Sequence, residues 1–230
     1  MRSGCRGTAC VSTRTLPSSD WRLGPAVSAF PGGKCRLIFL PHILMNILLV
    51  RHGKKADDLA EIDDKDLPLS DQGKAEVQQL AAEFAEAGLL PSLYLSSRYV
   101  HALDTARAIS EKLVAGNAPP ASVPLDSLTP HNPYTFALIV REAAKIGLTL
   151  NGVDTACMVL HYPRIHQLTA ELTSTALETN DPGYASASCV TAASLDELLQ
   201  GKGHTRYVWR RTKDRILTRR NYQSTESARF

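Results

Sequence analysis

Residues Ile47-Leu48-Leu49-Val50 are apolar at four consecutive positions. A strand covered on one face alternates apolar and polar residues, whereas a strand covered on both faces does not. The run therefore predicts a buried strand, and it ends abruptly on Arg51-His52-Gly53. Residues 54–69 are polar and acidic and read as a loop. Ser70 is a good helix N-cap, Val77, Leu80, Ala81 and Phe84 follow at helical spacing, and Gly88 closes that helix. Ser92–Ser96 reads as a second strand, and Ala102, Ala106, Ile109 and Leu113 as a second helical stripe. A Pro-rich connection at 118–124 leads through a short extended piece to the loop signature Thr129-Pro130-His131-Asn132-Pro133. Phe136, Ile139, Val140 and Ala143 mark a third helix that stops near Gly147. Thr155–Leu160 is another strand, and Pro163 opens a helix whose buried face is Ile165, Leu168 and Leu172. Residues 174–184 read as a loop, Ala185–Ala193 as an outer strand of small and polar residues, and Tyr207–Trp209 as a last strand.

Strands alternate with helices, which predicts an α/β fold: a three-layer α/β/α sandwich around a mainly parallel central sheet. At 230 residues and 43% hydrophobic, the chain can bury one sizeable core. Ligands of such sheets bind at the carboxyl ends of the strands. Two of those ends carry histidine here: Val50 leads into Arg51-His52, and Leu160 into His161-Tyr162-Pro163.

Charge divides the chain into three parts. Residues 1–44 hold six basic residues against one acidic, and 201–230 hold nine against two, which leaves 11 basic and 20 acidic in between. The expected organisation is a basic extension over 1–44, a globular domain over 45–210 and a basic tail over 211–230. Basic ends attract nucleic acid in some proteins, but a solvated end is the commoner outcome, so neither nucleic acid nor a membrane is expected as a partner. Residues 1–44 are rich in Arg, Ser, Gly and Pro. A transit peptide, a disordered extension and upstream sequence ahead of a start at Met45 compete here, and the last is preferred because Met45-Asn46 begins a strand cleanly. The run Leu37–Val50 is broken by Pro41, His42 and Asn46 and is too short to span a bilayer. The five cysteines (Cys5, Cys10, Cys35, Cys157 and Cys189) are odd in number, and no pair has metal-ligand spacing. A reducing compartment, the cytoplasm, is expected.

An Arg-His-Gly triplet turns up by chance in about one chain of this size in fifty, so its context has to carry the argument. Gly53 allows close backbone approach to a ligand, and the helix opened by Pro163 would favour an anion at its start. An arginine beside two histidines suits a phosphoryl group: the guanidinium binds its oxygens in a fork, and a neutral imidazole attacks phosphorus.

The chain resembles the histidine phosphatase superfamily, with its phosphoglycerate-mutase-like fold, over about residues 45–210. The residues that carry the resemblance are Leu49-Val50-Arg51-His52-Gly53, Leu67-Pro68-Leu69-Ser70-Asp71-Gln72-Gly73, Leu95-Ser96-Ser97 with Asp104-Thr105-Ala106, and Val159-Leu160-His161-Tyr162-Pro163. Within the superfamily it is most similar to the small SixA-type phosphohistidine phosphatases; Leu128-Thr129-Pro130 and the strand ending Ala193-Ser194-Leu195-Asp196 support this. The resemblance implies that His52 is the nucleophile and that Arg51 and His161 hold the phosphoryl oxygens, with Gly53, Ser97, Arg98 and His101 lining the substrate site. It implies no metal and no other cofactor.

Two positions depart from the family pattern. A second arginine is expected four residues before Thr105; His101 stands there, and Arg98 takes the place of the usual proline. A histidine is shorter and only partly charged near neutrality. Arg98 is one candidate to replace the missing charge. The family's general-acid glutamate is also missing: Asp126 is the nearest carboxylate, and Ser127 occupies the aligned position. That loss bears more on esters than on phosphoramidates, whose leaving imidazole can be protonated before the bond breaks.

The expected function is thus a metal-independent phosphatase with a phosphohistidine intermediate, acting on phosphohistidine in a protein. A weakly active pseudophosphatase that binds phosphoprotein and a small-molecule phosphomonoesterase are the alternatives. His101 is read evenly as a phosphate ligand or as an idle helix-surface residue. His131 is read as an ordinary loop residue that competes with a role over the site, His166 as structural, and Lys54 and Lys55 as a solvated loop. The Arg210-Arg211-x-Lys213 run reads as a solvated face or a frayed end.

Overall fold

The computed structural model describes residues 44–56, 61–114, 118–132, 135–212 and 215–220. Residues 1–43, and with them all but the last position of the basic extension, lie outside the described residues. Among the described residues, seven strands form one sheet: β1 (Met45–Arg51), β2 (Leu93–Ser96), β3 (Ser122–Pro124), β4 (Thr155–Leu160), β5 (Ala187–Ala192), β6 (His204–Arg211) and β7 (Ile216–Arg220). Their order is β3-β2-β4-β1-β5-β6-β7. From β3 to β1 neighbouring strands are parallel; β5, β6 and β7 continue the sheet antiparallel.

The helices are α1 (Asp71–Glu86), α2 (Val100–Leu113), α3 (Phe136–Lys145), α4 (Arg164–Thr173) and α5 (Leu195–Leu199). They follow from local signals. Ser70 caps α1 by accepting the Gly73 N–H at 3.0 Å, and Thr135 caps α3. The stripes at helical spacing then face the sheet from opposite sides. Ile47 and Leu49 pack with Phe136, Ile139, Leu168 and Leu172 of α3 and α4. Leu48 and Val50 pack with Val77, Leu80, Phe84 and Ile109 of α1 and α2. This is why four consecutive residues of β1 are apolar: alternate side chains enter two different cores.

Three details correct the sequence reading. β5 is an inner strand between β1 and β6, buried along its whole length, and its small residues fit because both faces are covered. The segment after it turns into α5, where Ser194 accepts the Glu197 N–H at 3.2 Å and the Glu197 carboxylate accepts the Ala193 N–H at 2.9 Å. That reciprocal cap was legible in Ser194-Leu195-Asp196-Glu197. The sheet also runs past residue 210, so residues 211 and 216–220 are strand rather than tail. Trp209 is fully buried, edge-on to Phe84 at 5.0 Å and stacked on Tyr207 at 5.1 Å. Arg211 is not frayed: its guanidinium donates to Gln79 Oε1 at 3.2 Å and Glu76 O at 3.0 Å. Among the described residues, no helix is long and apolar enough to cross a membrane.

Candidate active site

The sheet order brings three strand ends together. β4 lies between β2 and β1, and the parallel register pairs Arg51 with Leu160 and Ser96 with Val159. The ladders continue one step further, with the His52 N–H donating to Leu160 O at 3.1 Å and the Ser97 N–H to Val159 O at 3.0 Å. His52 and His161 therefore leave the sheet side by side. The β2 end feeds α2, whose first turn adds His101.

The three imidazoles form one buried cluster. Ring centroids lie 4.3 Å apart for His52–His101, 4.8 Å for His52–His161 and 5.4 Å for His101–His161. His101 is 1% exposed, His52 7% and His161 6%. His101 thus belongs to the cluster, and the idle-surface reading is excluded. Tyr99 stands edge-on to both His101 and His161, at 5.6 and 5.0 Å.

Burial sets the protonation of this cluster. It lowers all three pKa values; His161 is pulled down to about 3 by burial and then by the neighbouring His101. For His52, burial is reinforced by His101 and His161. For His101, burial outweighs the opposing hydrogen bond to Leu67. All three rings are neutral near pH 7. Two of the tautomers follow from backbone partners. His52 Nδ1 lies 2.9 Å from Gly53 O, and His101 Nδ1 lies 3.2 Å from Leu67 O. A carbonyl can only accept, so each Nδ1 carries the hydrogen and each Nε2 the lone pair.

The motifs around the cluster hold it in place. The Gly53 N–H donates to Thr105 Oγ1 at 3.0 Å, and that hydroxyl donates to His101 O at 2.7 Å. Lys54 O accepts both the N–H and the hydroxyl of Ser70, at 3.0 and 3.1 Å. The Leu67–Gly73 segment therefore clamps the loop after β1 and also supplies the carbonyl that orients His101.

Arg51 lies at the end of β1, 9% exposed, with its Nη1 ion-paired to Asp181. Its guanidinium sits over the Tyr184 ring at 4.4 Å and the Tyr162 ring at 5.5 Å, while its Nε is buried with no partner among the described residues. His161 Nε2 is likewise buried and unpartnered. Ser97 is fully buried, and its hydroxyl accepts the Tyr99 N–H at 3.3 Å. Arg98 is exposed and ion-paired to Asp126, so its charge is directed to that carboxylate. Asp126 and Ser127 donate their N–H groups to the two oxygens of Glu142, each at 2.8 Å. His166 is structural, 2.9 Å from Asn180 O through Nε2, and His131 is exposed. Lys55 pairs with Asp64, and Lys54 Nζ lies 3.3 Å from Gln72 Oε1. A cleft of about 520 Å³ lies elsewhere, lined by His166, Thr169, Glu178, Arg210 and Arg219, and none of the clustered imidazoles lines it.

Sequence reasoning missed Tyr99, Tyr184 and Asp181. The first follows a strand end and was open to discovery. The other two lie in the loop before β5, where no local pattern marks them.

Residues 47–119 match the Histidine phosphatase superfamily (branch 1). No curated protein matches the chain. Among solved structures, the protein histidine phosphatase SixA complexed with tungstate superposes with a TM-score of 0.56 at 22% identity, covering 71% of this chain and 96% of the other. A protein assigned as phosphohistidine phosphatase SixA from Agrobacterium tumefaciens gives 0.50 at 20%, covering 64% and 90%. Another so assigned, from Nakamurella multipartitia, gives 0.51 at 17%, covering 72% and 95%. The pattern across residues 47–119 is that of the histidine phosphatase superfamily, carried on a fold shared with SixA proteins.

Proposed function

We propose that this chain is a metal-independent phosphatase that takes a phosphoryl group onto His52 and passes it to water, with phosphohistidine in a protein as the substrate. The observation that carries the reading is the state of His52. Its Nδ1–H is spent on Gly53 O, and burial keeps the ring neutral, so Nε2 holds the lone pair a nucleophile needs. That lone pair attacks phosphorus, and the P–N bond of the substrate breaks as its imidazole, protonated from solvent beforehand, leaves as a neutral ring. Water then attacks phosphorus, the P–Nε2 bond breaks, and inorganic phosphate departs with neutral His52 restored and one proton returned to solvent.

The other roles follow from unspent groups. The buried Nε–H of Arg51 and the ring of His161 have polar atoms that a phosphoryl oxygen would satisfy. Gly53 keeps the backbone close, and His101 and Ser97 line the same strand ends. Arg98 serves at most at the rim, because Asp126 holds it. A phosphoramidate suits a site where Asp126, the carboxylate next to the aligned general-acid position, is committed to Arg98, and Asp181 to Arg51. A SixA protein of the same fold has been solved complexed with tungstate, an oxyanion, in keeping with an oxyanion-binding site in this chain. Cys157 and Cys189 are free and buried, in keeping with a cytoplasmic enzyme that works on a phosphorylated protein, with no nucleic acid or membrane required.

The second reading, a weak phosphatase that mainly binds phosphoprotein, rests on charge. His101 is neutral where the family pattern has arginine, and Asp181 offsets the charge of Arg51. The deciding experiment measures phosphate release from phosphoramidate-phosphorylated protein, wild type beside His52→Ala, with EDTA present. Turnover lost in the variant supports the phosphatase. Silence of both, with vanadate still bound by the wild type, supports the binder. Preference for sugar phosphates over phosphoramidates would instead make the chain a small-molecule phosphomonoesterase.

A further inference from the structure

The replacement of arginine by His101 leaves three neutral imidazoles facing one another. One nitrogen from each ring lies within 4.8 Å of the others. The backbone partners of His52 and His101 fix the tautomer whose Nε2 lone pair is free, which is the arrangement that orients imidazoles toward a metal. His161 Nε2 is a buried polar atom without a partner among the described residues. Three neutral ring nitrogens with no thiolate or carboxylate among them suit a borderline-soft divalent ion. Tetrahedral zinc at 2.0–2.1 Å from each nitrogen needs N···N separations of about 3.4 Å, so nitrogens up to 4.8 Å apart have to close by about 1.4 Å at most.

The electrostatics are mixed but permissive. A guanidinium beside two histidines disfavours a cation. Among the described residues, the Arg51 guanidinium is offset by Asp181, the Lys55 ammonium that also reaches His101 and His161 is paired with Asp64, and the position where a second arginine is expected holds a neutral ring. We propose that the His52, His101 and His161 imidazoles bind a single zinc ion. The ion takes the lone pair that would attack phosphorus, so zinc and phosphoryl substrate exclude one another; only this last consequence rests on the phosphatase reading.

The test uses the full chain. Zinc binding is measured by competition with a chromogenic chelator, for wild type, His101→Arg and His101→Gln. Cobalt(II) provides a spectrum. The expected result is one zinc per chain, lost by at least about 100-fold in both variants, as suits removal of a ligand. Cobalt should give visible ligand-field bands without a thiolate charge-transfer band. Vanadate should displace the metal from the wild type, and His101→Arg should bind vanadate more tightly, which shows that this variant is folded. No zinc binding, binding unchanged in both variants, or a thiolate band that assigns the ion to cysteines would each overturn the proposal. Phosphate release in EDTA is measured separately. Zinc bound without turnover in EDTA leaves the metal site standing and removes the phosphatase; turnover without zinc binding does the reverse.

Discussion

Replacing Gly73 by alanine should unfold the site even though it improves the helix. Gly73 lies in the first turn of α1, where alanine is favoured over glycine by about 1 kcal/mol on helix propensity alone. The structure predicts the opposite sign. A Cβ at Gly73 would meet Lys54 O at 2.0 Å and Lys54 C and N at 2.9 Å. The obstacle is backbone, already pinned by two hydrogen bonds from Ser70. Clearing a carbonyl from 2.0 Å to contact distance takes a shift of about 1.4 Å, and overpacking of this kind costs about 1–3 kcal/mol, at the upper end where nothing flexible can yield. The net expectation is a loss of about 2 kcal/mol, read as a lower urea midpoint at unchanged slope. Lys54 is two residues from His52, so the shift should also weaken vanadate binding by about 10²-fold. Gly147→Ala is the control: its φ is +81° with no heavy atom within 4 Å, so it should cost about 1–2 kcal/mol and leave vanadate binding alone. A Gly73→Ala protein as stable as wild type, with intact vanadate binding, would refute the clamp between α1 and the loop after β1.

Other outcomes follow from the same geometry. In EDTA, stability should fall on acidification. The folded pKa of His161 is depressed to about 3, so its contribution is fully present above the unfolded value near 6.5 and is lost as pH drops toward 3. The loss between pH 8 and pH 5 should be about 2 kcal/mol from this residue, and a flat urea midpoint over that range would contradict it. On the proposed phosphatase reading, His101→Arg should raise phosphate release by about 10²–10³ by restoring the missing guanidinium, as single-turnover rates would show. Trp209→Ala should cost about 3–5 kcal/mol in chemical denaturation, because the ring is wholly buried against Phe84 and Tyr207; a small effect would place β6 outside the core.

Much of this protein is legible in one dimension because its signals are local. Ser70 and the Val77–Phe84 stripe specify α1 through capping and a period of 3.6, and the unbroken run in β1 specifies a strand covered on both faces. The Arg51-His52 and His161 strand ends are legible for the same reason: a polar residue directly after a buried strand has few places to go in a parallel sheet. Where the chain departs from local rules, the reading fell short. β5 is rich in small residues and resembles an edge, and only the β6–β7 hairpin pairing across it makes it internal.

What the tertiary structure alone decided is which residues meet. No spacing along the chain fixes the strand order that sets β4 between β2 and β1, and that order is what closes His101 onto His52 and His161. Asp181 and Tyr184 reach Arg51 from a loop about 130 residues away in sequence, held there by the antiparallel return of β5. The tautomers of His52 and His101 depend on carbonyls presented by neighbouring segments. Their neutrality depends on burial that exists only once both cores have closed. Sequence named the reactive residue types, and packing chose their charge, tautomer and company.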